Sequence, residues 1–96
     1  MTEQKHLWWH EMTAPEVVDF AKNVSDIAIL PIGAIEQHGP HAPNGVDAFN
    51  AKGLAEMIAK KTDVMLLPWL FYGSHPYHHW YMPGNIPFSY DTHIAM

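Results

Sequence analysis

A chain of 96 residues that is 48% hydrophobic and only 16% charged is long enough for one small domain and too apolar for a disordered segment. A formal net charge of -5, with Lys60-Lys61 as the only basic pair, excludes a phosphate-neutralising surface and therefore a nucleic-acid partner. The absence of cysteine excludes disulfides and thiolate metal sites, and no apolar run approaches the ~20 residues that span a bilayer, so no membrane partner is expected.

The first twelve residues lack the apolar core of a signal peptide, so a soluble, cytoplasmic protein is expected. Trp8-Trp9 reads as a packing anchor or an oligomer contact. Thr13-Ala14-Pro15-Glu16 has the spacing of a capping box with proline in the first turn, which predicts a short helix over Thr13 to Asn23 with Val17, Val18, Phe20 and Ala21 as its apolar face. Ile27 to Ile32 is a short apolar run rich in β-branched residues, the pattern of a strand covered on both faces of a parallel sheet. Pro31 loosens its hydrogen bonding at the carboxyl end.

A loop rich in Gly and Pro follows. Helical periodicity then resumes from Asp47 to Lys61, where Ala48, Ala51, Leu54, Ala55, Ile58 and Ala59 recur at three- and four-residue steps. Asp47 suits the N-cap, where a carboxylate meets the positive helix end. Asp63 to Pro68 predicts a second buried strand. Strand, loop, helix and strand within this span make a βαβ unit with parallel strands. The segment from Trp69 onward is dense in aromatics, Gly and Pro and reads as a long functional loop with one strand near Ile86. Its aromatics favour loop packing or a subunit interface over substrate stacking. Tyr90-Asp91-Thr92 looks like the start of another helix, and because two parallel strands cannot cover themselves the chain reads as unfinished.

Eight residues are histidine, and His38, His41, His75, His78 and His79 fall in two short segments, one after each predicted strand. In open α/β sheets, sites form at the carboxyl ends of strands. The central string is Glu36-Gln37-His38-Gly39-Pro40-His41, with Asp47 nine residues after His38. In extended backbone Glu36 and His38 point to the same side, and the Gly-Pro turn with Gly45 returns Asp47 toward them. Each has an ordinary alternative: a solvated loop carboxylate, a hydrogen-bonded loop imidazole, a plain helix cap. Their joint occurrence is what points to a site for Zn²⁺ or Mn²⁺. An aspartate with two oxygens can bridge two ions about 3.5–4 Å apart, which can share and activate a water.

The string from Leu30 to His41, with Asp47 beyond it, resembles the signature of the creatininase family of α/β metallohydrolases. Looser likeness continues through Pro68, Tyr72-Gly73 and Pro83-Gly84-Asn85-Ile86. The resemblance implies a three-layer α/β/α fold with a largely parallel sheet, of which residues 1–96 would be the N-terminal βαβ portion and an active-site loop of a single domain. It implies two divalent metal ions, Zn²⁺ and/or Mn²⁺, with Glu36 on one, His38 on the other and Asp47 bridging. It also implies a His and a Glu from a later strand-end loop and a catalytic His further downstream, none of them among these residues, and a homo-oligomer, or a partner chain that supplies the missing ligands.

His79 matches the family's loop histidine, which would line the substrate pocket. His75 and His78 read as supporting or exposed residues, and His41 as a loop support through hydrogen bonding. His6, His10 and His93 are expected to do nothing chemical. Where many relatives have Glu-His and Thr in the second loop, this chain has His78-His79 and Asn85. The implied activity is hydrolysis of a small cyclic amide or related ring compound through a metal-bridging hydroxide, with an oxidised cyclic polyol as the rival substrate. The non-enzymatic alternative is a catalytically incomplete or split subunit that serves as a structural half.

Overall fold

Thr13 and Glu16 close the capping box that their spacing predicts. In the computed structural model, which describes residues 7–74 and 82–96, Thr13 Oγ1 accepts from the Glu16 amide at 3.3 Å and Glu16 Oε1 accepts from the Thr13 amide at 3.1 Å. Helix α1 (Ala14–Asn23) follows a single 3₁₀ turn at Trp9–Glu11. Of its predicted apolar face only Phe20 is buried, and Val18 stays half exposed.

Strand β1 (Ala28–Ile29) pairs in parallel with β2 (Met65–Leu66), with Ala28 opposite Met65 and Ile29 opposite Leu66. Both are shorter than the apolar runs predict. At β1 the ladder lapses around Leu30-Pro31 and resumes as an isolated bridge between Ile32 and Leu70, because proline has no amide hydrogen to give. At the other strand, Asp63 belongs to the preceding helix as its left-handed C-cap, at φ 52°. The other edge of β2 is taken by residues near the amino terminus. Trp8 bridges Leu66, whose amide donates to the Leu7 carbonyl at 2.9 Å. A strand paired on both sides explains why Met65 and Leu66 are the most deeply buried large side chains.

Helix α2 (Val46–Thr62) makes the crossover between the strands. Its contact face is made of alanines: Ala48, Ala55 and Ala59 are buried against the sheet side, while Leu54 and Ile58, expected on that face, are 59% and 40% exposed. The helix thus meets the sheet through small side chains, and the larger residues of the same periodic pattern lie beside that face. Trp8, Ala55, Ala59, Val64 and Leu66 form the core cluster, with Leu7, Ile29 and Trp69 packed on it. Trp8 is thus the packing anchor, its ring 4.9 Å from that of Trp69, whereas Trp9 is 39% exposed.

Near Ile86, among the described residues, there is one bridge, Gly73 with Pro87, in place of a strand, and helix α3 (Tyr90–Ala95) begins where expected, capped by Ser89. Among the described residues no helix is long and apolar enough to cross a membrane.

Candidate metal centre

The loop between β1 and α2 carries Glu36 and His38, and the first turn of α2 carries Asp47. The helix begins one residue before the predicted start. Its first hydrogen bond runs from the Phe49 amide to the Gly45 carbonyl, so Gly45 is the N-cap and Asp47 sits inside the first turn. Asp47 is therefore not the capping residue that the sequence suggested. Its carboxylate instead faces His38, with Oδ1 3.5 Å from Nε2. Glu36, His38 and Asp47 each bring one donor atom within 4.8 Å of the others. The His38 and Asp47 side chains are 28% and 42% exposed, which leaves the group open to a ligand from solution.

The orientation of His38 follows from its own loop. Its Nδ1 lies 3.0 Å from the Glu36 carbonyl oxygen, which can only accept, so the ring proton of the neutral imidazole sits on Nδ1. Nε2, then without a proton, lies 3.5 Å from a carboxylate oxygen of Asp47. A bare imidazole nitrogen facing a carboxylate oxygen offers two donor atoms to one cation. A ligating histidine commonly gives its second ring N–H to a carbonyl in this way. An imidazole with two carboxylates is a donor set suited to Zn²⁺ or Mn²⁺, so these residues fit a divalent ion.

The loop is braced from two directions. On the β1 side, the Gly33 amide donates to the Leu70 carbonyl at 2.8 Å, and Gly33 packs against the backbone of Asp47 and Ala48. From the second loop, Asn85 Oδ1 accepts the Gln37 amide and the Ile86 amide donates to the Ile35 carbonyl at 3.1 Å. Gly84, at φ 88°, lies directly against the Asn44 side chain, and the Asn44 carbonyl accepts from the Glu36 amide at 3.0 Å.

The remaining sequence candidates divide. His79, together with His75 and His78, lies outside the described residues. His41 is exposed with its ring against Gly39, and among the described residues the ring takes no hydrogen-bond partner, so it does not support the loop in the expected way. His10 joins the Trp8–Trp69 aromatic cluster. His93, expected to be inert, has Nδ1 3.1 Å from Ser74 Oγ. Sequence reading also passed over Asn85 as a contact to the Glu36-Gln37-His38 segment. The signal was its place directly after the Pro83-Gly84 turn.

Comparisons with known proteins bear on the family and the fold. The family model described as creatinine amidohydrolase matches residues 10–96. A 3-dehydro-scyllo-inosose hydrolase of Thermotoga maritima is 38% identical over 88 residues, covering 92% of this chain and 28% of that protein. A creatinine amidohydrolase of Pseudomonas putida is 34% identical over 47 residues, covering 49% of this chain and 18% of that one. Two creatininase structures superpose on it. A tryptophan-to-alanine mutant has a TM-score of 0.84 at 25% identity, covering 92% of this chain and 36% of that one. A second, described as creatinine amidohydrolase, has a TM-score of 0.78 at 27% identity, covering 90% and 35%. The chain thus spans less than a third of the length of either curated relative. With the signature string, the βαβ frame and the family model in agreement over nearly its whole length, the chain belongs to the creatininase family and carries part of that α/β fold.

Proposed function

We propose that the protein is a metal-dependent hydrolase of a small ring compound, and that Glu36, His38 and Asp47 supply part of a site for two divalent ions, Zn²⁺ or Mn²⁺. The observation that carries this reading is the facing of His38 Nε2 and Asp47 Oδ1 across 3.5 Å, with Glu36 beside them. Bound there, such ions would provide an activated water at neutral pH and polarise a carbonyl oxygen.

The roles of the protein groups follow from their chemistry. Asp47 has two carboxylate oxygens on the rigid first turn of a helix and is the group able to be shared between two ions. His38, with its proton held on Nδ1, offers Nε2 as a neutral ligand. Glu36 adds the negative charge that offsets a second cation. His79 is assigned to the substrate pocket, where an imidazole can carry a proton to the leaving group. The remaining ligands come from outside the described residues, in the same chain or a partner copy.

The favoured substrate class is an oxidised cyclic polyol. Similarity to the 3-dehydro-scyllo-inosose hydrolase extends over 92% of the chain, whereas that to the creatinine amidohydrolase extends over 49%. A cyclic amide is the second reading, supported by the family model itself. The test is turnover of the intact, metal-loaded protein on an oxidised inositol and on a lactam. Faster ring opening of the inositol supports the first reading, and faster lactam opening supports the second. No turnover of either with two ions bound would leave a structural, non-catalytic role.

A further inference from the structure

The Glu36–Gln37 peptide is gripped on both of its polar ends. Its carbonyl oxygen accepts from His38 Nδ1 at 3.0 Å, and its N–H donates to Asn85 Oδ1. A peptide unit is planar, so the direction of the N–H fixes the direction of the C=O. We infer that Asn85 is a positioning residue for His38: by holding the Gln37 amide it aims the Glu36 carbonyl at the imidazole, and so sets both the ring orientation and the tautomer that leaves Nε2 bare.

Several features make Asn85 a fixed rather than a floating partner. The next residue, Ile86, is tied to Ile35 by a backbone hydrogen bond, and the preceding Gly84 abuts Asn44. Asn44 in turn accepts from the Glu36 amide. The two loops therefore meet as a short ladder of contacts on either side of the peptide. The Gln37 side chain is engaged elsewhere, its Oε1 accepting from the Gly39 amide at 2.9 Å, and is not the group that holds this amide. With the Asn85 oxygen removed, the Gln37 N–H would lose its acceptor and the peptide would be free to rotate. The Glu36 carbonyl would then leave the ring, and the proton of a neutral imidazole would redistribute to Nε2, where it blocks coordination. A hydrogen bond that polarises the peptide also makes its carbonyl a better acceptor, so the two contacts reinforce each other.

The functional consequence rests on the proposed metal site, but the positioning itself does not. The experiment uses the intact protein with ¹⁵N-labelled histidine, metal-free and at a pH where the imidazoles are neutral. Long-range ¹H–¹⁵N spectra read the tautomer of His38, identified by the signal lost in His38→Gln. The wild type and Asn85→Asp, which keeps an acceptor oxygen, should both show the proton on Nδ1. Asn85→Ala should move a large share of it to Nε2. Zinc affinity by chelator competition should fall roughly tenfold in Asn85→Ala, the low end of the range for residues that orient ligands.

A tautomer unchanged in Asn85→Ala would overturn the inference, whatever the affinity. A shifted tautomer in a protein whose wild type takes up no zinc would support the positioning and refute the metal site, so the two failures are distinct. Should Asn85→Ala not fold, Asn85→Ser, whose shorter side chain does not reach the amide, is read in the same way.

Discussion

Gly33 and Ala48 meet backbone to backbone: a Cβ placed on Gly33 would stand 2.6 Å from the Ala48 Cα. This contact joins the end of the β1 segment to the first turn of α2 and so determines where Asp47, one residue earlier, emerges. The obstruction is main chain on both sides, and no rotamer change relieves it.

Gly33→Ala should therefore shift the start of α2. A stability loss of about 1–3 kcal/mol is expected, the usual cost of overpacking a tight contact. The denaturation midpoint in urea measures it. Because Asp47 moves with the helix start, metal affinity should fall together with stability.

Asp47→Ala should release both ions, and Glu36→Ala should weaken mainly one. In the proposed site Asp47 is the ligand shared by the two ions, whereas Glu36 contributes to one of them. Metal-to-protein ratios by elemental mass spectrometry, after passage over a desalting column, distinguish the two. Full retention of both ions in both variants would refute the assignment of ligands.

Gly84→Ala should cost about 1–2 kcal/mol. Two effects add here: the positive φ of 88° and the nearness of Asn44 Nδ2 to an added Cβ. The Asn44 tip can swing aside, but a side chain at positive φ carries its strain wherever the neighbours go, so the backbone term dominates. Thermal unfolding of the variant measures the loss, and a second substitution of Asn44 by Ala should recover only a minor part of it.

Thr13→Ala serves as the contrast. It removes the hydroxyl that accepts the Glu16 amide at the start of α1, worth about 1 kcal/mol for a typical N-cap. It lies on an exposed helix remote in sequence from the ligands. Stability should drop by that amount while zinc affinity stays within twofold. A larger fall in affinity would mean that the site responds to general destabilisation, and the other variants would have to be reread.

Local chemistry made several parts of this chain legible. The Thr13–Glu16 box, the extent of α2 to within a residue, the parallel pairing of the two apolar runs and the convergence of Glu36, His38 and Asp47 all follow from spacing, capping and the alternation of an extended backbone. These depend on residues near one another in sequence, where a few dihedral angles decide the outcome. The tertiary structure decided the rest. That α2 buries its alanines and leaves Leu54 and Ile58 exposed depends on which part of its apolar stripe meets the sheet, which periodicity does not encode. That Leu7-Trp8 closes the second edge of β2 joins segments nearly sixty residues apart. Asp47 faces His38 rather than capping the helix because the Gly45 carbonyl took the first helical hydrogen bond and Gly33 packs against the backbone of Asp47 and Ala48. Asn85 acquired its role only when a turn 48 residues away was laid against Gln37. Spacing along the chain names the groups able to ligate; packing between distant segments sets which nitrogen and which oxygen face each other.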